Sequence, residues 1–185
     1  LRMLEDRIRF PRGNGGFWPQ PPAEARPFIT YDSALTFHFN GEEVRVFLAP
    51  PAHTDGDTFV HFPESDVLHL GDVFRTTSYP IIDVYNGGTL AGTLAALELA
   101  ISLAGPDTRI IPGHGADVVG RAELEEFRDM IVDVSERVRA LIAAGKTLDD
   151  VMAARPAAAY DDRWGTVPTS SAAAHSTSSS NASIC

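Results

Sequence analysis

Leu35, Phe37 and Phe39 alternate with Thr36 and His38, Asn40-Gly41 follows, and Val44, Val46 and Leu48 alternate on the return. A period of two puts every second side chain on one face of a strand. Asn-Gly supplies the two positive-φ positions of a type I′ turn. Residues 35–48 therefore predict a hairpin with one apolar face, with His38 as a solvated residue on the other. Two further short strands are predicted over 58–62 and 67–70, separated by a turn at 63–66. The period then changes. Leu90, Leu94, Leu97 and Ile101 recur at 4, 3, 4 spacing, which predicts an amphipathic helix over 89–104 entered through Gly87-Gly88. A short strand at 109–111 ends in Pro112-Gly113-His114-Gly115. The longest helix, 121–144, carries Leu124, Phe127, Ile131, Val134, Val138 and Leu141 on one face and stops at Gly145. Thr147, with Asp150 three residues on, predicts a capping box opening a short helix through about Ala154.

The two ends differ from this middle. Leu1, Leu4 and Ile8 fall at helical spacing among charged residues, so residues 1–10 read as the end of a helix. Residues 11–27 hold five prolines and the Gly13–Gly16 cluster, which is loop chemistry. From 166 to 185 half the residues are Ser or Thr and none is charged. Without apolar periodicity this reads as a disordered tail, and neither its His175 nor Cys185 has a local partner. The expected organisation is one domain over 1–165 followed by that tail.

Composition narrows the classes. With 44% hydrophobic and 22% charged residues in a 185-residue chain, an ordinary globular core is expected. No run approaches the roughly 18 apolar residues of a membrane span, so no membrane partner is expected. A formal charge of −10 argues against a nucleic-acid partner held mainly by phosphate contacts and does not exclude a small-molecule substrate, even an anionic one. A lone terminal Cys excludes an intramolecular disulfide framework.

Candidate chemistry sits where predicted strands end. His53 lies in Pro51-Ala52-His53-Thr54-Asp55-Gly56-Asp57 after the hairpin, Asp72 in Gly71-Asp72 after the fourth strand, and His114 in the Pro-Gly-His-Gly turn after the fifth. Neutral imidazole and ionised carboxylate suit zinc, and glycine lets the backbone turn sharply beside each. Spacing alone leaves a hydrogen-bonded structural role open for each. No Gly-x-Ser-x-Gly elbow, Cys-x-x-Cys, His-Glu-x-x-His, Walker loop or calcium loop occurs. His61 and His69 read as strand residues facing solvent or a helix layer.

The run PAHTDGDTFVHFPESDVLHLGDVF from Pro51 to Phe74, followed by IIPGHG, resembles the metallo-β-lactamase superfamily. The resemblance implies an α/β fold, the αββα sandwich, with two zinc ions at one edge between the sheets. It implies His53 as a ligand of the first zinc, Asp72 as the catalytic carboxylate bridging both metals, and His114 as a ligand of the second. Asp57 corresponds to a residue supporting the His53 loop. The implied activity is hydrolysis of an ester, thioester, lactone or lactam by a metal-bound hydroxide. Iron, in a dioxygenase on the same fold, is the alternative metal.

One departure matters. The superfamily's upstream His-x-His-x-Asp-His motif has no counterpart, since no His-x-His occurs in the chain. The resemblance then implies that the remaining ligands and the first strands of the sandwich lie before Leu1. The chain alone would hold at most one zinc weakly, and would expose a sheet edge and an apolar face open to self-association. A non-catalytic, metal-poor binding module is the competing reading. Substrate choice would rest on 75–88, with Tyr79, Tyr85 and Asn86, and on 11–27, with Phe17 and Trp18.

Overall fold

A computed structural model of the protein describes residues 22–25, 27–115 and 117–165. The expected helix at 1–10, most of the proline-rich loop and the expected tail at 166–185 lie outside the described residues.

Five strands form one sheet in the order β1-β2-β3-β4-β5: β1 Ala34–Phe39, β2 Glu42–Leu48, β3 Thr58–Phe62, β4 Val67–His69 and β5 Arg109–Ile111. The first four make an antiparallel meander, and β5 joins β4 in parallel. The predicted hairpin is present, with Asn40 at φ 52° and Gly41 at φ 84°, the two left-handed positions of the expected turn. The parallel pair needs a crossover, and helix α1 (Leu90–Leu103) supplies it. Thr89 caps α1 by accepting the Gly92 amide at 2.9 Å.

Helix α2 (Arg121–Ala143) packs on α1, α3 (Leu148–Ala154) on the far part of α2, and the single turn α4 (Asp161–Trp164) is the last element among the described residues. Gly145 has φ 73° directly beyond α2, and the capping box at Thr147 and Asp150 is formed. The long helix buries Leu124, Phe127, Met130, Ile131, Ser135 and Val138. Val134, expected on that face, is only partly buried against the core.

The core lies between the helices and one face of the sheet. Phe59, Leu68 and Ile110 from the strands join Ala96, Leu97 and Ala100 of α1 and Leu124 and Phe127 of α2, all fully buried. Phe47 extends the cluster by meeting Phe59 edge-on at 5.8 Å. The register puts Leu35, Phe37, Val44, Val46, Val60 and Phe62 on the opposite face. No described helix covers that face, and Phe37 and Phe39 are exposed there. The described residues thus form one sheet backed by helices on one side.

Candidate metal centre

Because β2, β3 and β4 alternate in direction and β5 runs with β4, strands β2, β4 and β5 all end at the same sheet edge. The three sequence-predicted residues follow those strand ends. His53 lies in the loop after β2, Asp72 in a 3-10 turn at Gly71–Val73 after β4, and His114 after β5. The topology brings together all three, from loops far apart along the chain.

Asp72 is the hinge of the group. Its Oδ2 lies 3.6 Å from His53 Nε2 and its Oδ1 lies 3.3 Å from His114 Nε2. Each carboxylate oxygen therefore addresses a different imidazole. His53 Nδ1 stands 2.7 Å from the Ile81 carbonyl oxygen. A carbonyl only accepts, so Nδ1 carries a hydrogen, and in the neutral imidazole Nε2 then presents its lone pair to Asp72. Two acceptors then face one another unless a proton or a cation lies between them. Two ligand bonds of about 2.0–2.2 Å at a tetrahedral angle separate their donor atoms by about 3.3–3.6 Å, the separations seen here.

The fit to zinc is that of a partial site. Each imidazole–carboxylate pair offers two donors, whereas a catalytic zinc takes three protein ligands. Among the described residues no group of three or more His, Cys, Asp or Glu side chains is arranged to hold a metal ion. His61 and His69 remain on their strands, with His69 Nδ1 accepting the Gly71 amide at 3.2 Å. Burial pushes the His61 imidazole below its ordinary pKa, as does the nearby Arg45 charge.

The loops are fixed by one another. Asp57 accepts the His53 amide at 2.7 Å, the Thr54 amide at 3.1 Å and the Thr54 hydroxyl at 2.8 Å, the supporting place the resemblance implies. The Asp83 amide donates to the His53 carbonyl at 2.8 Å, and Thr89 donates through its amide and hydroxyl to the Pro51 carbonyl. A side chain on Gly92 would place Cβ 1.6 Å from that same carbonyl oxygen, so only glycine lets α1 start so close to the His53 loop. On the other side, the Gly113 amide donates to the Gly71 and Phe74 carbonyls, and Thr76 donates to the His114 carbonyl.

Arg75 forms the bridge partner of His114 and is 6% exposed. Its Nη1 donates to Ser78 Oγ at 3.0 Å, while Nε is buried without a partner. Burial depresses its pKa, and the Asp72 charge acts in the opposite direction. Nothing in the sequence pattern marked Arg75 or the Ile81 carbonyl, because both act through placement and not through residue type at a strand end.

The expected specificity residues divide. Tyr79 anchors the loop, donating to the Ala157 carbonyl and to Asp161 Oδ1, both at 2.9 Å. Asn86 is buried and donates to Asp83. Tyr85 is exposed. Phe17 and Trp18 lie outside the described residues.

No family model and no curated protein matches the chain at the level of sequence. Solved structures do. The stereoselective inverting sec-alkylsulfatase Pisa1 from Pseudomonas sp. aligns over 67% of this chain and 21% of its own, at 19% identity and a TM-score of 0.53. A metallo-β-lactamase family protein from Thermus thermophilus aligns over 66% of this chain and 40% of its own, at 22% identity and a TM-score of 0.53. The chain thus spans less than half the length of either protein. What they share is the fold, a mixed α/β architecture of the metallo-β-lactamase type.

Proposed function

We propose that the chain is the part of a metal-dependent hydrolase that supplies His53, Asp72 and His114 as ligands, with Asp72 shared between two zinc sites. The observation carrying this reading is the facing of His53 Nε2, held as a lone-pair donor by the Ile81 carbonyl, against Asp72 Oδ2. In the neutral imidazole this arrangement presents an acceptor to an acceptor, which a cation between Nε2 and Oδ2 would satisfy. The named activities of the fold neighbours, a sulfatase and a β-lactamase family protein, support hydrolysis as the reaction class.

Zinc, when bound, supplies Lewis acidity and a lowered water pKa. This chain's own residues orient and hold. The Ile81 carbonyl fixes the His53 tautomer. Asp57 holds the His53 backbone, and the Gly71–Gly113 contact holds Asp72 against the His114 loop. The substrate class is an ester, thioester, or lactone- or lactam-like compound.

Zinc titration followed by imidazole nitrogen resonances tests this. His53 and His114 Nε2 should shift with zinc while His61 and His69 stay in place, and Asp72→Asn should weaken binding by at least about tenfold. If millimolar zinc leaves both imidazoles unmoved, the proposal is wrong.

A further inference from the structure

Resting on the hydrolase reading, we infer that Tyr79 is a positioning residue for the metal ligand His53, and that the turns at 157–164 hold that ligand's tautomer through it. The Tyr79 amide donates to the Trp164 carbonyl at 3.0 Å, and its hydroxyl donates to the Ala157 carbonyl and to Asp161 Oδ1, both at 2.9 Å. Backbone and side-chain tip are thus tied to one short stretch of chain. That stretch is itself firmly held. Trp164 is buried against Phe127 and Tyr160, at ring separations of 6.3 and 5.9 Å, and Arg155 donates to the other Asp161 oxygen at 2.6 Å. Burial, and then the Asp161 bond, pushes the Tyr79 hydroxyl up to about 12, so it stays a donor wherever an imidazole titrates.

The same segment then grips His53. The Ile81 carbonyl oxygen lies 2.7 Å from Nδ1, and the Asp83 amide donates to the His53 carbonyl at 2.8 Å, so ring and backbone of the ligand are both held. Pro80 stands between Tyr79 and Ile81. Its ring fixes its own φ and disfavours helical backbone at Tyr79, which leaves little slack between the tyrosine and the Ile81 carbonyl. Residues 79–83 therefore act as a strut from the helix layer to the metal loop. Hydrogen bonds weaken steeply with angle. A shift of Tyr79 would loosen the carbonyl that keeps a hydrogen on His53 Nδ1 and, in the neutral ring, the lone pair on Nε2.

Imidazole nitrogen shifts of the metal-free protein, recorded about two pH units above the ordinary imidazole pKa, give the ratio of the two neutral tautomers at each histidine. Tyr79→Phe should lower the Nδ1–H to Nε2–H ratio at His53 by about fivefold, the worth of one hydrogen bond, and leave His61 and His114 in place. Asp161→Ala, which keeps the Tyr79 ring, should move His53 the same way and add nothing in the Tyr79→Phe background, since both act through one contact. Tyr160→Phe removes a hydroxyl from the same turns, where it donates to Asp133 at 2.8 Å, and should leave His53 unmoved. With zinc, the midpoint of the His53 Nε2 shift should rise in Tyr79→Phe by a similar factor. An unchanged His53 ratio in Tyr79→Phe, additive losses from Tyr79→Phe and Asp161→Ala, or an equal loss in Tyr160→Phe would each overturn the link. The tautomer measurement needs no metal, so its failure is distinct from a failure of the zinc titration.

Discussion

The two faces of the sheet use the same residue types and end in different states. On one, Phe59, Leu68 and Ile110 are fully buried under α1 and α2. On the other, Phe37 and Phe39 stay exposed, and their neighbours Val44, Val46, Val60 and Phe62 are only half-buried. Alternation made both faces; the helices chose between them. Binary pattern specifies that a strand has an apolar side, while burial depends on which connection returns over it. The β4–α1–β5 crossover lays α1 on the Phe59 side.

The largest effect that would break this contrast is in the core. Phe59→Ala or Phe127→Ala should cost about 3–5 kcal/mol in urea unfolding, whereas Phe37→Ala should stay within about 0.5 kcal/mol. Comparable losses at Phe37 and Phe59 would mean that the open face is covered. A smaller effect lies at the seam between the helix layer and the metal loop. Gly92→Ala drives a Cβ into the Pro51 carbonyl and should destabilise by about 1–3 kcal/mol. Gly56→Ala, whose Cβ would meet nothing nearer than Thr54 Oγ1 at 3.9 Å, should be close to neutral.

The smallest effect is a pH dependence on the covered side. Burial first, then the hydrogen bond to Asp161, raises the Tyr79 hydroxyl from 10.0 to about 12. The folded pKa lies above the unfolded one, so the stabilisation is complete below pH 10 and is lost as pH rises through about 12. Tyr79→Phe should flatten the alkaline fall in stability between those values. Tyr160, raised through Asp133, contributes a remaining slope.

Much of this molecule was legible beforehand, for reasons that can be named. The Asn40-Gly41 turn could be read because few other pairs tolerate two positive φ angles. The helices could be read from 4, 3, 4 spacing and from the capping box at Thr147. Strand-end histidines and aspartate beside glycines singled out His53, Asp72 and His114, and the structure brings those three side chains together. The sequence could not tell that Asp72 meets the two imidazoles through separate oxygens, nor that Tyr79 anchors while Tyr85 stays free. Those facts depend on loops meeting across the sheet edge, and periodicity carries no information about that. The mixed α/β fold expected from the resemblance is the fold found, with one sheet among the described residues.

His114 reaches Asp72 only when β5 has docked beside β4, after the whole of α1 has been threaded over the sheet. The pair is therefore a report on chain closure. A nick or loosening anywhere in the crossover would uncouple the two imidazoles while leaving the β1–β4 meander and the helices largely intact. The Asp72–His114 approach would be lost before secondary structure was, which makes that contact a sentinel for the integrity of the connection that builds it.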